Sequence, residues 1–356
     1  MAKVEMVDRG LENQVKDRLE SLLREIPIIR LKRWQREART AEGKRVDLSV
    51  EVLASGEPWC LLVEVKGRGE PRYVRGAVQE LRTMLSGKRR TYGIVSAPYI
   101  SVDAGKICRD EGMGYLDLAG NCGLIFANLF IERRGMPKSS KETRPLRSLY
   151  APKAGRVLRA LLEEPKQHWT LQGLAKKAGV SLGLTFKVKQ RLLDFEFVAE
   201  GAEGLNLVKP EELLRQWGGN YAYTKNEAFE YYSQGDPAQL ETAMAEYCSR
   251  TDTQYAFTLF SGAARVAPYA RYLKGTAYVK GEPLEVARSL GWKSVSSGAN
   301  FTLLRPYDEG IFYGVREIER DSVVSDVQLY LDLIGSKARG DEAATFLLQQ
   351  RLIPRW

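Results

Sequence analysis

The chain has 356 residues and a net charge of +9, with 44% hydrophobic and 28% charged side chains; this is the composition of a soluble globular protein, too long for one ordinary core, so two or three domains are expected. No apolar run approaches the ~20 residues of a membrane span, the first residues lack a signal-peptide core, and the four cysteines (Cys60, Cys108, Cys122, Cys248) show no C-x-x-C spacing, all of which points to a reduced, cytoplasmic protein with no membrane partner. The single histidine, His168, argues against a histidine-rich zinc site or a Ser-His-Asp triad, so any catalysis would use carboxylates, lysine and metal.

Leu11, Val15, Leu19, Leu22, Leu23 and Ile26 recur at three- and four-residue steps and predict an amphipathic first helix that stops at Pro27. Strands are expected around 28–36, 45–53 and 59–66, then a helix over 73–85 ended by Ser86-Gly87. A buried strand over 91–97, a short helix over 101–111 and strands over 115–121 and 123–134 around a Gly-Asn turn complete an α/β domain over 1–135. Residues 136–150 carry charge, proline and serine without periodicity and read as a basic surface linker. Residues 151–218 change grammar. A helix over 154–164 is broken by Pro165, and His168-Trp169-Thr170 is extended. Thr170 caps a helix over 171–178, and Ser181 caps another over 182–195 after a Gly179-Val180 turn. Two extended pieces follow within 197–208. This is the order of a winged helix-turn-helix. Residues 219–356 read as an α+β domain, with helices at 225–250, 324–334 and 341–350 and strands near 255–260, 275–280, 301–305 and 311–316.

The hairpin predicted over 45–52 and 59–69 carries the most chemistry. Asp47 lies in its first strand, and Glu64 and Lys66 lie two apart on its second, hence on one face. Two carboxylates and a lysine at one end of a sheet make a hard-cation site with a cationic partner, which metal-assisted phosphodiester hydrolysis requires. A surface ladder of cross-strand ion pairs, worth under ~1 kcal/mol, is the plainer reading. It fits poorly with an otherwise apolar strand of Leu62, Val63 and Val65. A fold that binds DNA without cutting it stays open. The constellation resembles the PD-(D/E)XK superfamily, the restriction-endonuclease-like fold, through Asp47, Glu64-x-Lys66, Gln79 on the following helix and Glu12 in helix one. The resemblance implies Mg²⁺ (or Mn²⁺) held by Asp47 and Glu64. It implies that Lys66 positions or deprotonates the attacking water, that Gln79 orients phosphate or supports the site, and that Glu12 is the acidic residue of helix one.

In the helix-turn-helix segment, Leu184, Val188 and Leu192 are expected to form the buried face of a recognition helix. The opposite face offers Ser181, Gly183, Thr185, Phe186, Lys187, Lys189 and Arg191 to double-stranded DNA, with Lys176 and Lys177 on the preceding helix. The competing reading is a protein-docking or dimerising module. The segment over 197–208 contains Glu200 and Glu203, an acidic wing unlike the usual basic one. The charge supports a phosphate-binding surface: residues 1–150 hold 28 basic against 20 acidic side chains, 151–219 hold 11 against 8, and 220–356 hold 15 against 17.

APYIS (97–101), GYLDLAGN (114–121), FTLFSGAA (257–264), PYDEGIFYG (306–314) and VVSDVQLYLDL (323–333) look like the bacterial AbiEi-type family of type IV toxin–antitoxin antitoxins and transcriptional regulators. The family implies DNA-binding autoregulation through the winged helix and neutralisation of a nucleotidyltransferase-type toxin through the C-terminal domain. A nuclease-like domain ahead of the winged helix departs from the simpler antitoxins. The sequence thus supports a DNA-binding regulator, or an active Mg-dependent DNA endonuclease targeted by the winged helix, or more weakly a protein scaffold; reading a palindrome would call for a homodimer. Asp117 and Asn121 offer polar function near the end of the sheet, but the plainer expectation is that Gly120-Asn121 makes a tight turn that needs positive φ. Gln328, Tyr330 and Asp332 are expected to serve structure or a partner surface rather than catalysis.

Overall fold

The computed structural model describes residues 2–39, 45–136, 149–336 and 339–356, so most of the expected linker lies outside the described residues. The chain divides into two compact units: residues 1–144 with 193–196, and residues 145–192 with 197–356.

The first unit runs α1 (Ala2–Arg24), β1 (Ile29–Arg39), β2 (Arg45–Ala54), β3 (Glu57–Val65), α2 (Pro71–Leu85), β4 (Thr91–Ala97), α3 (Val102–Asp110), β5 (Gly114–Asp117), β6 (Cys122–Phe126) and β7 (Leu129–Arg133). Its seven strands lie side by side in chain order. β3, β4 and β5 are parallel neighbours, and the other pairs are antiparallel. The apolar stripe of α1 (Val15, Leu19, Leu22, Leu23) packs on Leu48, Val50, Leu61, Val63 and Ile94. On the opposite face α2 and α3 bring Val74, Val78, Leu81, Ala104 and Cys108 against Leu62, Val95 and Tyr115. Each fully buried leucine or valine contributes roughly 1.5–3 kcal/mol, against about 0–1 kcal/mol for an exposed ion pair; the two apolar layers therefore hold the helices to the sheet.

The single strand expected over 123–134 is a hairpin. Ala127 and Asn128 both take positive φ, 48° and 64°, the two-residue turn whose twist matches paired strands; without a glycine there, the sequence hides it. The turn after β5 is as expected. Asp117 is fully buried and accepts the amides of Gly120 and Asn121 and the Asn121 side-chain amide, each at 2.8 Å, and Gly120 supplies a φ of 108°.

The second unit begins with α4 (Pro152–Glu163), α5 (Leu171–Ala178), α6 (Leu182–Asp194, within this unit as far as Leu192), the hairpin β8 (Val198–Gly201) and β9 (Gly204–Leu207), and α7 (Pro210–Gly218). Thr170 caps α5 by accepting the Gly173 amide at 3.0 Å. Gly179 closes α5 in the left-handed region, and Trp169 bridges to Leu205 beside the hairpin. A second seven-stranded sheet follows, mixed in direction. It is formed by β10 (Glu227–Tyr232), β11 (Tyr255–Phe257), β12 (Gly275–Val279), β13 (Lys293–Ser294), β14 (Phe301–Arg305), β15 (Arg316–Ile318) and β16 (Asp321–Val323), with α8 (Pro237–Arg250), α9 (Leu259–Val266), α10 (Pro283–Ser289), α11 (Asp326–Ile334) and α12 (Gly340–Leu347) packed around it. Both units mix helix and sheet, so the protein is a multi-domain α/β chain.

The helix expected over 225–250 is instead β10 followed by α8. Ala228-Phe229-Glu230-Tyr231 alternates with strand period, and a capping box of Asp236 with Gln239 starts the helix only there. The strand expected to reach 260 stops at Phe257, because Thr258 turns the chain into α9. The strand expected over 311–316 is a 3₁₀ turn (Glu309–Phe312) and then β15.

α11 is buried on every side, Asp326, Gln328, Tyr330 and Asp332 included, which removes the partner-surface reading of those residues. Asp332 accepts from Thr258 Oγ1 at 2.6 Å, Tyr221 Oη at 2.9 Å, Gln328 Nε2 at 2.9 Å and Tyr278 Oη at 3.1 Å. Gln328 Oε1 in turn accepts from Arg159 Nε of α4 at 3.1 Å. A buried polar group without partners is costly; here each satisfies another, and the network ties α4 to the C-terminal sheet.

Candidate functional site

At one end of the first sheet, Leu48 of β2 pairs opposite Val63 of β3, so the next residues outward are Asp47 and Glu64. The Val65 amide donates to Asp47 Oδ2 at 2.8 Å and fixes that carboxylate against the neighbouring strand. Lys66 follows β3 directly, and its own amide donates to the Ser96 carbonyl at 2.8 Å, continuing the parallel pairing with β4. Its ammonium donates to Glu64 Oε1 at 2.8 Å and to Glu80 Oε2 of α2 at 2.7 Å. Beyond it Gly69 pairs with Ile100. Any Cβ at Gly69 would collide with the Tyr99 carbonyl oxygen, so only glycine lets the chain leave the site by this route. Glu12 of α1 faces the same space. The result is a cleft of about 490 Å³ whose walls include Arg9, Glu12, Glu37, Arg45, Asp47 and Lys66.

Burial pushes Glu64 up to about 8, with the Asp47 charge and the hydrogen bond to Glu80 adding to the rise and Lys66 opposing it. Burial likewise raises Asp47, against the Val65 amide and the Lys66 charge, which favour its ionised form. Glu12 is raised by burial and then by repulsion from Asp47. At Glu80 burial acts upward, but the hydrogen bonds from Lys66 and Glu64 outweigh it and the net shift is downward. Lys66 is held charged: the two carboxylates more than offset its burial.

Of the residues singled out in the sequence, Asp47, Glu64, Lys66 and Glu12 thus converge. Gln79 does not. It is exposed on α2, and the contact with Lys66 is made by the next residue, Glu80, which flanks the buried stripe of Val74, Ala77, Val78 and Leu81. Helix phase could have identified Glu80. Asp47 and Glu64 are the oxygen donors that could hold a cation. Among the described residues no group of three or more histidine, cysteine, aspartate or glutamate side chains is arranged to hold a metal ion.

The second cluster lies on α5 and α6. Ser181 Oγ accepts the Leu184 amide at 3.3 Å and caps α6. Ser181, Gly183, Phe186 and Lys187 are exposed, as is Lys176. Lys189 is paired with Glu200 of β8 at 2.8 Å, Lys177 with Glu164 at 2.6 Å, and Arg191 is half-buried. Thr185 corrects the expectation: it is fully buried and its hydroxyl donates to the Ser181 carbonyl at 3.1 Å, so it cannot reach a base edge. Val188 and Leu192 are buried as expected, but Leu184 is only half-buried and Thr185 is the third buried position. Exposed Leu182 (46%) takes the outward position instead.

Residues 206–353 match the family described as transcriptional regulator, AbiEi antitoxin, type IV TA system. The matched region takes in β10 to β16 and α7 to α12 and holds FTLFSGAA, PYDEGIFYG and VVSDVQLYLDL, while APYIS and GYLDLAGN lie outside it. Three solved structures are similar to part of the chain. A repair endonuclease from Pyrococcus abyssi is 21% identical over 29% of this chain and 46% of that one, with a TM-score of 0.21. EndoMS in apo form is 18% identical over 32% and 44%, with a TM-score of 0.21. The EndoMS-dsDNA2 complex is 22% identical over 28% and 42%, with a TM-score of 0.20. The chain spans less than half the length of each. No curated protein matches. Among the described residues no helix is long and apolar enough to cross a membrane.

Proposed function

We propose that this chain is a DNA-binding regulator of AbiEi type. The observation that carries the reading is that the AbiEi-type region shares one compact unit with α4, α5, α6 and the β8–β9 hairpin, the arrangement of a winged helix-turn-helix. α6 would enter the major groove with Ser181, Gly183 and Phe186 foremost, while Lys187 and Lys176 contact phosphates. A nucleotidyltransferase-type toxin is the protein partner for the AbiEi-type region, and a second copy of the chain would meet a palindromic operator. A gel shift with duplex DNA covering the chain's own promoter tests the reading. Lys176→Ala with Lys187→Ala should weaken binding with little change in melting temperature; unchanged binding would overturn the role of α6.

A second reading is favoured by the convergence of Asp47, Lys66 and Glu12 on one cleft, with buried Glu64 bonded to Lys66: a Mg-dependent endodeoxyribonuclease. Two opposed carboxylates without an all-protein cage suit Mg²⁺, which keeps waters and takes its remaining ligands from phosphate. Bound there, the ion would supply Lewis-acid stabilisation of the phosphoryl oxygen and a more acidic water. The chain's own part is to aim Asp47 through the Val65 amide and to present the Lys66 ammonium to developing negative charge. Incubation of plasmid with the protein and Mg²⁺ or Mn²⁺ tests it: nicking that Lys66→Ala abolishes establishes the nuclease, and intact plasmid throughout rejects it.

A further inference from the structure

The first strand of the first unit is an edge strand, and its outer side is almost wholly basic. Ile29, Leu31 and Trp34 turn toward the core beneath α1, while Arg30, Lys32, Arg33 and Arg36 are exposed. Strict alternation would place Lys32 and Arg33 on opposite faces. The register shifts between Leu31, opposite Val52, and Arg33, opposite Glu51; this bulge at Lys32 re-aims the strand so that both side chains reach solvent. Among the described residues no ion pair engages Arg30, Lys32 or Arg33. Glu51, across from Arg33, is the one carboxylate directly opposite them.

Arg36, opposite Leu48, lies on the other face of the strand, the one that meets α1 and the cleft. Arg36 bonds Asn13 of α1 and acts electrostatically on Glu12. One residue further, Glu37 lines the cleft together with Arg45 and Arg9. From Arg30 to Arg33 the strand covers roughly 10 Å at ~3.3 Å per residue, a length that matches about three nucleotide steps at ~3.4 Å per strand step.

We infer that β1 is a phosphate-binding track that lays duplex DNA across the first unit, with Arg30, Lys32 and Arg33 on successive backbone phosphates and the strand running on to the Asp47–Lys66 cleft at Glu37. The inference rests on the reading of the protein as DNA-binding and adds a second contact surface, separate from α6. Charge on an edge strand also prevents pairing with other chains, but a single lysine suffices for that, and a re-aimed row of three serves phosphates better.

The test is the salt dependence of duplex binding by the full chain, read by fluorescence anisotropy. It compares the wild type, Lys176→Ala with Lys187→Ala, and Arg30→Gln with Lys32→Gln and Arg33→Gln. Each lost phosphate contact lowers the slope of log K against log salt by ~0.9, so the triple variant should lose about 2.7. Arg30→Lys with Arg33→Lys should keep the wild-type slope. A wild-type slope in the triple variant, with a reduced one in the α6 variant, overturns the track and leaves the α6 reading standing. A reduced slope in the triple variant alone supports the track and removes α6. Self-association of the triple variant at unchanged slope assigns the cations to edge protection and overturns the track, and absence of binding by the wild type overturns both. The single variants, each expected to lower the slope by about 0.9, keep the question decidable should the triple variant fail to fold.

Discussion

Glu80 and Asp332 show two uses of a carboxylate in one chain. Glu80 is half-exposed and holds Lys66 together with Glu64, so Glu80→Gln should leave the fold intact and loosen the ammonium's hold. If the second reading holds, the variant should still nick plasmid whereas Lys66→Ala does not; equal loss in both would make Glu80 part of the chemistry and not a tether. Asp332 is buried and meets donors alone: two tyrosines, a threonine and a glutamine amide. Asp332→Asn turns one acceptor into a donor facing donors, so it should cost about 2–4 kcal/mol, read as a lower urea midpoint with an unchanged slope. Burial also raises the Asp332 pKa, against those four hydrogen bonds. A carboxyl raised in the folded state favours folding most below its ordinary value of 3.8, and that advantage fades as pH climbs through the folded value.

Between elements, α4 is joined to the 306–310 turn by Arg156, whose Nε and Nη2 reach the two oxygens of Asp308 at 2.8 and 2.9 Å. At Asp308 burial acts upward, but Arg156 and the Gly310 amide outweigh it and the carboxyl sits below 3.8. A carboxyl lowered by folding stabilises above its ordinary value and loses that effect as pH falls through the folded one. The stability gap between wild type and Arg156→Ala should therefore be full at pH 7 and close in acid below 3.8, measured by denaturant titration at each pH; a gap constant with pH would assign the loss to packing. α6 makes a complementary case. Thr185→Arg should lower the melting temperature because its site is interior, whereas Lys187→Ala should weaken DNA binding without doing so. The buried Thr185 marks where the sequence stops being legible. Strand period is two, so Asp47, Glu64 and Lys66 can be grouped from spacing alone, and the run of leucines fixes α1. On α6 a threonine hydroxyl is satisfied by its own helix, which lets a polar residue take a core position beside the expected Leu184. The same ambiguity hides β10, whose glutamates and tyrosines suit helix or strand until Asp236 and Pro237 place the true helix start.

The two units have separate cores. Leu19 packs with Leu48, Leu61 and Leu124 in the first, while Tyr231, Met244, Phe257, Phe301 and Leu303 form a core in the second. Each holds well over a hundred residues, enough to bury a core that folds without help. Two-state unfolding of the whole chain is then the wrong expectation. Leu19 is fully buried, and Leu19→Ala should cost ~2–5 kcal/mol, which in a unit of this size lowers its midpoint by roughly 5–15 °C. Calorimetry of the full chain should show two transitions, with only one displaced by this substitution and only the other displaced by Asp332→Asn. A single transition that moves with both would mean that the units melt as one. Separate melting has a consequence for function: a substitution at the Asp47–Glu64 cleft could then be assayed for nicking while α6 still binds duplex. The regulator and nuclease readings would become separable within the intact chain, without cutting it in two.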